Sequence, residues 1–186
     1  MVRTRVGYAG GTSTNPTYYN LDGHTETVQV DYDPTKISYG ELLDVFWSSH
    51  DPTSFAYSRQ YQSIIFFHNE EQQKLAIQSK QTEEAKLGKS VTTEILSFSH
   101  FYQAEDYHQK YYLRQITEIM ADFKAMYPNA EGFIKSTAAA RINGFIGGYG
   151  SAETLQNELS SYGLSPAADK ALMNYLPRGL KICPLP

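Results

Sequence analysis

A single cysteine, Cys183, in 186 residues rules out an internal disulfide and any thiolate metal cage. A reducing, intracellular and specifically cytoplasmic setting is the expectation that follows. Long apolar runs are missing too. The longest strongly apolar one, Ile64 to Phe67, falls far short of a bilayer-spanning length. The first residues include Arg3 and Arg5 but not the apolar stretch a secretory signal needs. Positive charge is not in excess: 16 Lys and Arg against 20 Asp and Glu leave a formal net charge of −4. The basic residues are scattered rather than striped, which argues against nucleic acid or an anionic membrane as the main partner. No G-x-G-x-x-G loop, H-x-H pair or H-E-x-x-H helix signature occurs, and repeats and low-complexity linkers are absent.

What is abundant is tyrosine, with 15 residues, and glycine at the start. Gly7, Tyr8, Gly10 and Gly11 crowd into a turn, and tyrosines, a histidine and a glutamate follow closely. Residues 26–32 alternate Val28, Val30 and Tyr32 against Thr27, Gln29 and Asp31, the period of a strand. Ser38 and Glu41 have capping-box spacing, and the apolar face Leu42, Leu43, Phe46, Trp47 predicts a helix over 39–49. Residues 50–60 read as a loop, 61–68 as a buried strand, and Asn69 with Gln72 as the cap of a polar helix running to Gly88. A third strand is expected at 91–97. A long helix is expected from Ala104 to Met126, with Tyr112, Ile116, Ile119, Met120 and Phe123 on one face. Residues 142–151 are glycine-rich and read as irregular. Short helices are expected at 152–162 and 166–176, then an extended, mobile end carrying Cys183. This order fits a parallel α/β sheet and an α+β layer equally well.

Three clusters hold chemistry-bearing residues. Tyr18, His24 and Glu26 come together where a strand begins, with His24 and Glu26 two apart and so on one face. A carboxyl placed there can donate a proton, or it can simply bond a strand-end amide. His50, Asp51, Gln60 and Tyr61 form the second cluster. A metal held by His24, Glu26, His50 and Asp51 has no helical ligand pair behind it, and Asp51-Pro52 reads better as a turn. The third, Glu105, Asp106 and His108, either complements a helix dipole or positions another group.

The stretches GYAGGTSTNPTY, GHTETVQVDYDPTKISYGELLDVFWSSHDPT, QYQSIIFFHNEEQ and AEDYHQKYY, in this order and spacing, resemble peptide methionine sulfoxide reductase A. The likeness runs from about Thr4 to Tyr112. It implies an α+β, ferredoxin-like two-layer sandwich of a small mixed sheet and helices. Residues 1–126 would be the reductase-like domain, and 127–186 a helical C-terminal extension packed on it or trailing from it. It also implies reduction of methionine-S-sulfoxide, free or in proteins, with no bound cofactor and with thioredoxin as external reductant. A cysteine thiolate attacks sulfur, a glutamic acid protonates the oxygen, and two tyrosines hydrogen-bond it. By resemblance Glu26 is the acid and Tyr18 and Tyr61 are the tyrosines. His24 and Asp106 support substrate binding, and Cys183 is a candidate resolving thiol. The family's nucleophile lies in a Gly-Cys-Phe-Trp segment upstream of GYAGG that these residues do not include, so a longer native protein is expected. Ala56 stands where the family has an aspartate and Gln62 where it has an arginine. A non-catalytic relative that binds methionine or methionine-sulfoxide peptides is the alternative reading.

Overall fold

Local capping fixes the first helices. Ser38 Oγ accepts from the Glu41 amide at 3.2 Å while Glu41 Oε2 accepts from the Ser38 amide at 2.7 Å, the expected reciprocal box. Helix α1 (Tyr39–Ser48) follows. Asn69 likewise accepts from the Gln72 amide, opening α2 (Glu70–Leu87), which Gly88 ends in the left-handed region at φ 64°. Leu43, Trp47, Ile65, Ala76 and Val91 bury one core between these helices and a strand, and Trp47 Nε1 donates to Ser79 Oγ at 3.0 Å.

The computed structural model describes residues 2–175, so Cys183 and its expected extended end lie outside the described residues. The fold is α+β, with five strands and eight α-helices among the described residues. The mixed pairing is divided between two small sheets. In the first, β1 (Arg3–Ala9) lies between β2 (Thr25–Asp31) and β5 (Phe101–Gln103), antiparallel to β5 with Tyr8 opposite Tyr102. In the second, β3 (Ile64–Phe67) and β4 (Glu94–Ser97) are parallel, joined through α2 as a βαβ unit. Gly7 is required at the β1–β5 contact, since a Cβ there would sit 2.2 Å from Tyr102 O.

Two compact units emerge: Val6–Ala104, and Val2–Arg5 with the residues from Glu105 onward. The second is helical. Its elements are α3 (Tyr111–Arg114), α4 (Thr117–Met126), α5 (Ala130–Lys135), α6 (Thr137–Ile146), α7 (Ala152–Glu158) and α8 (Pro166–Tyr175). Leu113, Ile119, Phe123, Ile134, Ile142, Ile146, Leu155 and Leu172 are among the side chains of one shared core. Residues 105–126 therefore pack with the helices that follow them.

The single helix expected over Ala104–Met126 is three short pieces: a 3₁₀ turn at Asp106–His108, then α3, then α4. Lys110 breaks it first, at φ 54° and ψ 47°, and Ile116 breaks it again at φ −112° and ψ 102°. Partners distant in sequence hold the breaks. Lys110 Nζ donates to Thr4 O and to Thr4 Oγ1, and the Leu113 amide donates to Asn143 Oδ1 at 3.1 Å. Residues 142–146, expected to be irregular, complete α6, which starts at the Ser136 cap.

Lys110 is buried, and that burial, with Arg5 nearby, lowers its pKa to about 8. Between that value and the ordinary one of about 10.4, the unfolded chain binds the extra proton, so stability rises with pH. We expect unfolding free energy to climb by about 1 kcal/mol per pH unit between pH 8 and 10. Above pH 10 the trend is opposed by Tyr162, whose phenol is raised to about 12 by burial and then by Glu158. Lys110→Met should flatten the climb in urea titrations across that window.

Candidate functional site

A tight turn presents Tyr18. Thr17 and Asn20 exchange backbone hydrogen bonds at 3.0 and 3.1 Å, leaving Tyr18 and Tyr19 at the tip with rings edge-to-face. The loop behind this turn is anchored by His24. The Gly11 amide donates to His24 Nδ1 at 3.2 Å, so Nε2 carries the proton and donates to Ser13 O at 3.0 Å. At 1% exposure, with both ring nitrogens given to backbone and Tyr102 edge-on, His24 is a buried loop anchor. Its amide donates to Leu21 O, in a turn that ends before β2 starts at Thr25. The expected shared strand face of His24 and Glu26 is therefore not formed: Glu26 alone is on the strand.

Glu26 lies half-buried on β2, where Gln60 Nε2 donates to its Oε1 at 2.8 Å. Gln60 and Tyr61 come from the 3₁₀ turn Arg59–Tyr61, which is fixed at both ends. Thr25 Oγ1 donates to Arg59 O at 2.9 Å, and the Arg59 guanidinium pairs with Glu94 at 2.6 Å. Gln62 Nε2 donates to Thr92 O at 3.0 Å and so serves the loop. The Tyr61 ring lies beside that of Tyr57, with centroids 5.0 Å apart at a 40° tilt. Hydrogen bonding with Tyr57 first, then burial, then hydrogen bonding with Tyr18 raise the Tyr61 pKa above that of an ordinary phenol. Glu26 is thus tied to the turn through Gln60, and Tyr18 acts on it through the Tyr61 phenol.

Glu26, Gln60 and Tyr61 line a cleft of about 600 Å³. The rest of its wall is largely apolar: Val28 and Val30 of β2, Leu42 and Phe46 of α1, Ile64 and Phe66 of β3. β2 and β3 are edge strands, so both sheets open onto this cleft, and Val28 is 59% exposed there. A carboxyl and phenols beside apolar walls suit an acceptor oxygen attached to an apolar group, with a proton donor and hydrogen-bond donors at hand.

His50 and Asp51 do not line the cleft. His50 Nδ1 donates to Phe46 O at 2.9 Å, closing the end of α1. Asp51 accepts from the Thr53 amide and hydroxyl, the turn read from its Asp-Pro pair; those bonds hold its carboxyl below the usual range. Among the described residues no group of three or more His, Cys, Asp and Glu could hold a metal ion. Asp106 belongs to the second unit, where it opens the 3₁₀ turn at the surface and its charge acts on Arg114. Tyr57 was not picked out by sequence; its spacing of four from Tyr61, across one turn, was the available signal.

The family model described as peptide methionine sulfoxide reductase matches residues 1–140. A second, described as the helical domain of selenoprotein methionine sulfoxide reductase A, matches residues 128–168, giving the C-terminal stretch a counterpart that the motifs alone did not. A peptide methionine sulfoxide reductase of Drosophila melanogaster is 40% identical over 168 residues, covering 89% of this chain and 67% of the relative. The A5 reductase of Arabidopsis thaliana is 44% identical over 151 residues, and the match spans 59% of that relative. Among solved structures, reduced Mxr1 of Saccharomyces cerevisiae aligns with TM-score 0.55 at 32% identity, over 58% of this chain and 68% of that one. Methionine sulfoxide reductase A of Corynebacterium diphtheriae aligns with TM-score 0.53 at 33% identity, over 63% and 65%. The chain belongs to the peptide methionine sulfoxide reductase family.

Proposed function

We propose that this chain supplies the oxygen-handling side of methionine-S-sulfoxide reduction, on free methionine sulfoxide or on protein residues. Glu26 gives a proton to the sulfoxide oxygen as the S–O bond breaks, and Tyr18 and Tyr61 hydrogen-bond that oxygen. A thiolate takes the oxygen as a sulfenic acid, and methionine leaves as the sulfide. A second thiol condenses with the sulfenic acid to a disulfide and water, and thioredoxin returns the disulfide to thiols. The observation that carries this reading is the link of Glu26 to Gln60 and of Tyr18 to Tyr61 around one apolar-walled cleft.

The attacking thiolate comes from a segment outside these residues, seated against the open edges of β2 and β3. The support for this is the apolar cleft between two edge strands, a surface that a strand with its covering helix would bury. Cys183 is the resolving thiol, and the setting is cytoplasmic. The purified protein should reduce methionine-S-sulfoxide with thioredoxin. Ala56 and the loop-bound Gln62 favour the second reading, a binder without chemistry, and that reading predicts sulfoxide binding with no thioredoxin-dependent turnover.

A further inference from the structure

We infer that Tyr19 and Tyr57 form an aromatic rim that holds the apolar side chains flanking a methionine sulfoxide in an extended polypeptide. The inference rests on the sulfoxide reading of the site and deepens it by naming the form of substrate. Packing does not account for either ring: Tyr19 is 90% exposed and Tyr57 77%. Neither lines the cleft. Each stands instead against a tyrosine of the site. The Tyr19 ring meets that of Tyr18 edge-to-face with centroids 5.4 Å apart, and the Tyr57 ring lies 5.0 Å from that of Tyr61.

Both rings are presented from fixed backbone. Tyr19 sits in the turn that Thr17 and Asn20 close with two backbone hydrogen bonds. The loop of Tyr57 is held on one side by Thr92, whose amide donates to Pro52 O and whose Oγ1 donates to Ser54 O, both at 2.8 Å. On the other side Arg59 is tied to Thr25 and Glu94. A tyrosine has a broad apolar face and two side-chain torsions, so on a fixed backbone it offers contact area at low entropic cost.

The occupant follows from this placement and from the chemistry of methionine. A ligand confined to the cleft leaves both rings in water, whereas one that continues past the sulfoxide residue can cover them. Methionine is mostly a core residue, and its sulfoxide disrupts the packing around it. A segment that exposes such a residue therefore brings apolar neighbours with it. Those neighbours lose water against a tyrosine face, which charged or glycine neighbours do not exploit.

Four capped tripeptides test this: flanks of leucine and phenylalanine, or of glycine on both sides, around either methionine-S-sulfoxide or methionine. Their affinities are measured by amide NMR on the full chain, on Tyr19→Ser, on Tyr57→Ser and on the double variant. We expect the wild-type chain to bind the sulfoxide peptide with apolar flanks about five- to thirtyfold tighter than the one with glycine flanks, the gain from partly burying two apolar side chains. Each single variant should lose part of that ratio, and the double variant should bring it close to one. Because the readout is a ratio between flanks on the same protein, any change that Tyr57→Ser makes at the Tyr61 phenol cancels. Equal affinity for the two flanks in the wild-type chain, or a ratio that survives in the double variant, overturns the inference. Equal affinity for sulfoxide and methionine within the same flanks overturns the sulfoxide reading itself. The flank ratio is then still read on either pair of peptides, so the two failures are distinguished.

Discussion

Glu26→Gln in the native protein is expected to lower kcat/KM for methionine-S-sulfoxide by about 10²- to 10⁴-fold, the range that a positioned general acid supplies. The substitution is nearly isosteric, and its amide oxygen can still accept from Gln60, the bond that measures 2.8 Å in the unmodified chain. The fold and the cleft should therefore survive, and circular dichroism and urea midpoints should be unchanged within error. What disappears is the transferable proton. Sulfoxide oxygen is a poor leaving group until protonated, so the loss should fall on kcat rather than on KM. A variant that loses affinity but keeps kcat would make Glu26 a binding group only.

Gly11→Ala should be the most damaging small change to the loop that carries Tyr18. A Cβ on Gly11 would lie 2.4 Å from His24 Cδ2 and 2.6 Å from the His24 amide nitrogen. The imidazole cannot retreat, because it is 1% exposed and Tyr102 stands edge-on to it. Relief requires loss of the Gly11–His24 bond and movement of the turn. We expect a cost of about 1–3 kcal/mol in urea unfolding, the usual range for overpacking. Gly40→Ala is the internal control. Its Cβ would meet only Ser38 Oγ at 3.8 Å, so it should be neutral or stabilise α1 by about 0.5–1 kcal/mol. Equal effects at the two glycines would contradict the anchoring role assigned to His24.

Which elements were legible from sequence follows from where their determinants lie. The Ser38–Glu41 box and the Asn69 cap are local, with partners three residues away, and both helices start where those residues predict. The buried face of residues 112–123 was legible as well, since Ile116, Ile119, Met120 and Phe123 all enter one core and Tyr112 packs against it. The breaks in that stretch were not. They depend on Thr4 and Asn143, which no local window contains. His24 shows the same limit at the site: two-residue spacing gives one strand face only if the strand has begun, and here a turn holds His24 out of it. Glu26, Tyr18 and Tyr61 were found through resemblance, because spacing alone left Glu26 with a structural reading as good as the chemical one. Tyr57 lay outside the resemblance and became visible only when the loop brought its ring beside that of Tyr61, centroids 5.0 Å apart.

Amide NMR of this chain, titrated in parallel with methionine-S-sulfoxide and with methionine, tests the proposed oxygen-handling site most directly. The account predicts shifts that cluster at Tyr18, Glu26, Gln60 and Tyr61 with the sulfoxide and are absent there with methionine. Shifts of equal size and place with both ligands, or none at these residues with the sulfoxide, would contradict it.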